Sequence, residues 1–477
     1  MIFFWHRFFG RFLLLIFIGL GPASAPAAIF STIVTNGPTT NRVNLVFLSE
    51  GYTSGQMVNF LNDATNAANA FLTAEPYAEY ATYFNVFAIF TNSANTGSTH
   101  LNNGPYVLNH TYFNSTYNLG SDDLITIPPN SSDPTANNGQ GKIDSLLQTY
   151  LPFTNNDLAV LLVNDGTAAG AAVGGTSVYG KLAISSIGSL NNIMIHETGH
   201  TLGNLGDEYS IPSYPDYPTN NVEPNTTTQT NFSQIKWNAW IDGSTPIPTP
   251  VSGYDTSVGL FEGAHYNTSG WYRPFLNCRM QSSKYTLFFC PVCQEALVLA
   301  IYGKVRPLTA RFPTNNSLTV TSATNLAFSV NLLSPATHSL NVQWRTNNVA
   351  MAGATNTVLS LSPMQLGGGT KKVEAVIWDA TDMVRTDLKN VLKQTNTWTL
   401  TVTLPVLVIN SLKWLTNGNF TLQVTGTVPD QVSIQMSTNL SQWVAVQTNV
   451  LSAGKFSYTN IGANQYPQRF FRALTPP

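Results

Sequence analysis

His196-Glu197-Thr198-Gly199-His200-Thr201-Leu202-Gly203, followed closely by Asp207 and Glu208, is the stretch on which the fold and chemistry of this chain turn. It holds the pattern H-E-x-x-H. Residues i and i+4 of an α-helix stand one above the other, so His196 and His200 on a helix both aim a ring nitrogen at one metal ion. Glu197, offset by one residue, reaches past that ion toward a bound water instead of ligating it. Zinc lowers the pKa of such a water to about 7, and a neighbouring carboxylate can take its proton during attack on a carbonyl. Histidine is scarce, 7 in 477 residues, so two at this spacing beside a glutamate weigh against coincidence. The flanking Ile193, Met194, Ile195, Leu202 and Leu205 are apolar, which predicts a buried helix. Buried histidines need partners, and a metal supplies one. A polar surface helix with two spare histidines conflicts with those flanks.

The chain opens with basic Arg7 and Arg11, an apolar run from Phe12 to Leu20, and then Ala23-Ser24-Ala25-Pro26-Ala27-Ala28. This is the layout of a secretory signal peptide over residues 1–28. The apolar run is shorter than the about 20 residues of a membrane-spanning helix; an uncleaved N-terminal anchor is the other reading. The protein is therefore expected to be secreted, to the extracellular or periplasmic space or the cell surface. Charged residues make up 10% of the chain, against about 25% in ordinary soluble domains. The net charge of -2 offers no basic surface to nucleic acid and no charge block to a membrane. Triplets such as Asn109-His110-Thr111, Asn114-Ser115-Thr116 and Asn225-Thr226-Thr227 fit the glycosylation pattern, but a chain this rich in Asn and Thr makes them by chance.

The three cysteines are confined to Cys278, Cys290 and Cys293. In an exported protein this predicts one disulfide and one free thiol, with Cys278 joined to Cys290 or Cys293. Cys290-Pro291-Val292-Cys293 as a redox motif, or as half of a second zinc site, lacks a βαβ context and a second cysteine pair.

The pattern along the chain falls into three blocks. Asn44–Leu48, Phe84–Phe90 and Leu158–Val163 are unbroken apolar runs and predict fully buried strands. Gln56–Leu72 has apolar residues at helical spacing, and Leu182–Ile187 reads as an edge strand ahead of the helix that carries the histidines. Residues 91 to 140 read as loop, with a short strand over Asp123–Ile127. Strands and helices in that order give an α/β layout. From Pro307 onward, Thr309–Phe312, Ser317–Val320, Leu326–Leu332, Leu340–Arg345, Val358–Leu361 and Lys372–Trp378 alternate with period two, which predicts a β-sandwich. A second β module starts near Leu404 and runs through Phe420–Val424, Val432–Met436 and Phe456–Tyr458 to Arg469–Leu474.

The stretch His196–Tyr209, HETGHTLGNLGDEY, resembles the signature of the IgA peptidase family of secreted bacterial zinc metalloendopeptidases. Asn44–Thr53 (NLVFLSEGYT), Glu75-Pro76-Tyr77 with Tyr83-Phe84-Asn85-Val86, and Gly259–Ala264 also look like blocks of that family. So do Tyr272-Arg273-Pro274, Cys278-Arg279-Met280 and Phe289–Cys293. The last module is similar to β modules at the ends of other exported bacterial proteins. The resemblance implies an α/β zincin-like catalytic domain, the zinc metallopeptidase domain over 29–305, and the period-two pattern outside it adds two small all-β, sandwich-like modules. These are an Ig-like β-sandwich module over 306–402 and a C-terminal β module over 403–477.

It further implies a Zn2+ cofactor held by His196 and His200, Glu197 as catalytic base, and Gly203 letting the chain turn after the helix. The third ligand is open. The residue six positions after the second histidine is Gly206, which cannot bind. Asp207 is the choice, because an open catalytic site needs a third protein ligand; Glu208, Glu262 and His265 are the alternatives. If Asp207 does not ligate, Asp207-Glu208-Tyr209 would brace the turn as hydrogen-bond partners of the histidines. Met280 stands where a methionine floor beneath the metal would lie, or is ordinary core. Tyr209, Tyr266 and Tyr272 are candidates to stabilise an oxyanion, and Gly174–Ser177 is a candidate cleft wall for an extended peptide or a plain turn. The expected activity is zinc-dependent hydrolysis of protein or peptide substrates. An adhesin with a degenerate metal domain and a zinc hydrolase of a non-peptide bond are the readings from other classes. The β modules would serve attachment, including cell-surface or polysaccharide contact, spacing or export.

Overall fold

The structure, a computed structural model, describes residues 28–101, 107–117, 124–128, 139–152, 157–173, 182–187, 192–211, 221–282, 288–321, 324–403, 406–426, 431–451 and 454–474. The expected signal peptide, except Ala28, and Gly174–Ser177 lie outside them. Among the described residues no helix is long and apolar enough to cross a membrane. The chain forms two compact units. One comprises residues up to Pro307 together with Leu333–Leu340 and Asp379–Lys393; the other holds Leu308–Leu332, Asn341–Trp378 and the chain from Gln394.

The first unit is built on a six-stranded sheet. Its strands are β1 (Ile29–Val34), β2 (Val43–Glu50), β3 (Phe84–Phe90), β7 (Asp157–Val163), β8 (Gly170–Val173) and β9 (Leu182–Ser186), in the order β1-β3-β2-β7-β9-β8. The two-residue strands β4 (Thr99–His100), β5 (Thr116–Tyr117) and β6 (Ile125–Thr126) form a small sheet of their own. The four inner strands of the large sheet run parallel, and β1 and β8 close its edges antiparallel. A parallel sheet is covered on both faces, which is why β2, β3 and β7 are apolar at successive positions rather than alternate ones.

The alternation within those strands sorts the core into two layers. Leu45 and Phe47 face a cluster with Phe60, Phe71, Met194, Ile195, Leu297 and Ile301. These come from three helices: α1 (Met57–Leu72), α3 (Ile193–Gly203) and α4 (Pro291–Lys304). Val46 and Leu48 face the other way, onto Ile143, Leu146 and Leu147 of α2 (Gly139–Tyr150). The site helix α3 thus has a flat apolar platform beneath it. At the end of β2 the buried Glu50 carboxylate accepts hydrogen bonds from Thr111 Oγ1 at 2.5 Å, Phe113 N at 2.9 Å and Ser115 N at 2.8 Å. One buried carboxyl group therefore organises much of the irregular segment that follows β3.

The sequence reading needs three corrections. Leu182–Ile187 is not the edge: β9 sits between β7 and β8, and the edge is Gly170–Val173, whose small residues carry no strand signature. Helix α2 is the second, an element absent from the sequence reading although Ile143, Leu146, Leu147 and Tyr150 stand at helical spacing. The turn after α3 falls on Asn204, left-handed with φ 51°, and not on Gly203. A methyl at Gly203 would meet Leu297 Cδ2 at 2.8 Å, so that glycine admits α4.

In the second unit, Leu308–Phe312, Leu326–Leu332 and Val358–Leu361 form one sheet, and Ser317–Val320, Lys393–Val402, Gly369–Trp378, Asn341–Thr346 and Val349–Ala350 form another. Phe328 from the first meets Trp344 and Trp398 from the second, with ring centroids 5.2 to 6.2 Å apart. Farther along are two three-stranded sheets, Leu407–Trp414, Phe420–Gly426 and Lys455–Asn460, and Val444–Val450, Gln431–Ser437 and Phe470–Leu474. Leu422, Val424, Val432, Ile434 and Phe456 pack between them.

Within the first unit, His338 places Nδ1 2.8 Å from Glu79 Oε1 and Nε2 2.7 Å from Asp379 Oδ1. Two carboxylates at the two ring nitrogens call for an imidazolium that donates to both. Burial opposes that charge, yet Asp379 and Glu79 raise the His338 pKa above its ordinary value. A raised folded-state pKa contributes stability below the unfolded value of about 6.5, and that contribution fades as pH rises through the folded value. His338→Gln is therefore expected to lower the melting temperature more at pH ~6 than at pH ~9. Equal losses at both pH values would refute the charged role.

Candidate metal centre

Helix α3 presents His196 and His200 one turn apart, and two main-chain carbonyls fix their rings. His196 Nδ1 lies 2.9 Å from Arg279 O, and His200 Nδ1 lies 2.6 Å from Leu205 O. A carbonyl only accepts, so each Nδ1 carries a proton, and in its neutral form each ring turns a bare Nε2 lone pair inward. The two Nε2 atoms stand 3.2 Å apart, and Asp207 Oδ1 lies 3.1 Å from one and 3.3 Å from the other. With both rings neutral, three electron-pair donors converge. Donors bonded to one tetrahedral zinc at about 2.0–2.1 Å stand about 3.3–3.4 Å apart. The triangle fits a metal of that size.

Asp207 is carried into place by a hairpin. Strands β10 (Phe261–Ala264) and β11 (Asn267–Arg273) are joined through His265 and Tyr266, both with positive φ, 51° and 62°. Left-handed backbone at two successive non-glycine residues is the two-residue hairpin turn at a conformational cost. The turn is docked by His265 N to Asp207 O at 2.9 Å and Tyr266 N to Tyr209 O at 3.1 Å. This geometry lets the Tyr266 hydroxyl donate to Asp207 Oδ2, leaving Oδ1 for the histidines. Tyr209 donates in turn to the Tyr266 oxygen at 3.4 Å.

The electrostatics follow from the geometry. Burial pushes the Asp207 carboxyl up, but His200 and His196 hold it far below the ordinary carboxylate range. Burial also works against charge on His200, yet Asp207 raises its pKa to about 9. Glu197 lies buried beside them. Burial raises its pKa, and the two imidazoles lower it in part. Its carboxylate runs along β8: a methyl at Gly170 would stand 3.0 Å from Glu197 Oε1 and 2.2 Å from Ile193 Cγ2. Met280 lies under the helix, where a methyl at Gly199 would meet its sulfur at 3.0 Å.

The structure therefore brings His196, Glu197, His200, Asp207, Tyr266 and Met280 together. Glu262 is elsewhere: it is exposed on β10 and accepts from Gly270 N at 2.9 Å. The His265 ring stacks on Trp271 with centroids 4.1 Å apart. Glu208 turns away from the histidines toward the cysteines, its Oε1 3.1 Å from Cys293 Sγ. All three cysteines are free, so the expected disulfide is not formed. Sequence reasoning missed Asn225, which is fully buried. Its Oδ1 accepts from Gly206 N at 2.7 Å, and its Nδ2 donates to Gly206 O at 2.8 Å and Glu208 Oε1 at 2.9 Å. A triplet that looked like a chance glycosylation pattern supplies the clamp of the ligand loop. The carbonyls of Arg279 and Leu205 have no side-chain signature at all.

Residues 32–257 and 252–301 match the family model described as IgA Peptidase M64, and the chain belongs to that family of peptidases. No curated protein matches. Solved structures that match in part include the apo structure of Bacteroides uniformis beta-glucuronidase 3, at 8% identity and TM-score 0.15. That likeness covers 44% of this chain and 29% of that one, so this chain spans under a third of its length. Fibronectin(III)-like modules of Clostridium thermocellum CbhA match at 8% identity and TM-score 0.15, covering 31% of this chain and 77% of theirs. The human OSCAR ligand-binding domain matches at 16% identity and TM-score 0.15, covering 36% of this chain and 90% of its own. Likenesses at that TM-score carry no argument.

Partners that orient metal ligands typically contribute tenfold to hundredfold in metal affinity. Tyr266→Phe should therefore weaken metal binding at the histidines by about ten- to a hundredfold while the fold is kept. The measurement is competition with a chromophoric chelator, and an unchanged affinity would show that the hydroxyl does not hold Asp207.

Proposed function

We propose that this chain is an exported zinc endopeptidase of the zincin type. The observation that carries the reading is the convergence of His196 Nε2, His200 Nε2 and Asp207 Oδ1 within 3.1 to 3.3 Å, with both Nδ1 atoms tied to carbonyls. Membership of a peptidase family supports a protein or peptide substrate. The basic, apolar and small-residue order of residues 1–28 supports export.

A zinc ion at the triangle supplies Lewis acidity toward a water and a scissile carbonyl. The rest of the chemistry belongs to the chain. Glu197 takes the proton of the attacking water, and its buried position keeps that proton from bulk solvent until it is passed to the leaving amine. Asp207 supplies the negative charge that makes the triangle selective for a cation, and Tyr266 keeps its carboxylate from rotating. The edge strand β8 passes Glu197 at Gly170, where no side chain intervenes.

Glu197→Gln should abolish peptide cleavage and leave the metal bound at the histidines in place, whereas His200→Ala and Asp207→Ala should each release it. The check is metal content beside hydrolysis of casein or a quenched fluorescent peptide library. Loss of metal in Glu197→Gln would contradict its role as base, and full metal retention in Asp207→Ala would remove it from the ligand set.

A further inference from the structure

Behind the histidine site lies a second convergence. Cys278, Cys290, Cys293 and Glu208 are all buried, and their sulfur and carboxylate oxygen atoms lie within 4.8 Å of one another. We propose that these four side chains form a second, closed metal site, a structural zinc held by three thiolates and one carboxylate.

The distances separate this from the alternatives. A disulfide requires sulfurs about 2.05 Å apart, and Cys278 Sγ and Cys293 Sγ are 3.7 Å apart. Thiolates bonded to a tetrahedral zinc at about 2.3 Å stand about 3.8 Å apart, and a thiolate and a carboxylate oxygen on it about 3.6 Å. Glu208 Oε1 is 3.1 Å from Cys293 Sγ and 4.0 Å from Cys290 Sγ, on either side of that value. The second carboxylate oxygen, Glu208 Oε2, is buried with no hydrogen-bond partner, a state that costs free energy unless a cation faces it.

Burial pushes the Cys290 and Cys293 thiols up, whereas the surroundings of Cys278 favour its thiolate. Cys290 N donates to Cys278 Sγ at 3.3 Å, the contact by which a backbone amide stabilises a charged sulfur. Cys290 caps the N-terminus of α4 and Cys293 lies in its first turn, where the helix dipole favours negative charge. Three thiolates and a carboxylate around a divalent ion leave about two negative charges. The guanidiniums of Arg273 and Arg279 interact electrostatically with Glu208 and Cys278, respectively. Soft sulfur donors in a closed tetrahedral set select zinc over calcium or magnesium.

The second site would hold the first in place. Glu208 follows Asp207 directly, and Glu208 N donates to Met280 O at 2.8 Å. Cys278 is next to Arg279, whose carbonyl orients His196. A metal here fixes the third ligand and one ring-orienting carbonyl of the histidine centre from behind.

The test uses the full chain carrying His200→Ala, so that neither the histidine metal nor peptidase activity enters the readout. After preparation with reductant, that variant should keep about one zinc per chain and, refilled with cobalt, show near-ultraviolet sulfur-to-cobalt charge-transfer absorption. Three thiols should react with a disulfide reagent only once denaturant and chelator are both present. Adding Cys293→Ser should abolish the charge-transfer band; because that variant could fail to fold, the cobalt spectrum of the single variant decides alone. Three reactive thiols in denaturant without chelator, and no zinc or charge-transfer band, would overturn the proposal in favour of a plain thiol cluster. One reactive thiol without added reductant, and no zinc, would overturn it in favour of a disulfide.

Discussion

A neutral imidazole whose Nδ1–H is bound to a carbonyl has nothing to donate from its other nitrogen, and this constraint governs the first unit. Arg279 O and Leu205 O place two such rings face to face, and Asp207 adds a third acceptor. Burying that set without positive charge would cost on the order of several kcal/mol. Protons can fill the role, which is why His200 is pushed up to about 9 while Asp207 is pulled down. A divalent cation fills it better, because it satisfies all three acceptors at once. The platform of β2, β3 and β7, the cap at Asn204 and the hairpin at His265 and Tyr266 serve to hold three atoms within a few tenths of an ångström.

The ligand loop is stretched between two clusters of opposite character. Successive residues point to opposite sides, so Asp207 meets the histidines and Glu208 meets the sulfurs. Asn225 locks Gly206 on one flank, and the hairpin turn docks on Asp207 and Tyr209 on the other. A loop without regular secondary structure thereby gains the rigidity a catalytic ligand requires, through side-chain hydrogen bonds rather than a ladder of its own.

How far the sequence announced this depends on where the information resides. The histidine spacing was legible because a helix converts i, i+4 into proximity without help from elsewhere. Strands β2, β3 and β7 were legible because burial on both faces leaves an apolar run. Ring orientation was not, since it is set by carbonyls, which every residue has. Asn225 was hidden by composition, being one asparagine among many. The cysteines were ambiguous in principle: their spacing permits a bridge or a metal, and it is the structure that leaves all three thiols free, with Cys278 and Cys293 sulfurs 3.7 Å apart.

Strand β8 shows why some functional elements resist sequence reading for a physical reason. Strand signatures come from bulky β-branched and aromatic side chains that cover a sheet. At the edge beside α3 such side chains would collide with the site: even a methyl at Gly170 would press on Ile193 and crowd Glu197. The strand must be small-residue there for the base to lie against it, and a Gly-Ala-Ala-Val run has little pattern to display. The bareness that hid β8 from pattern recognition is the same property that lets Glu197 lie against it.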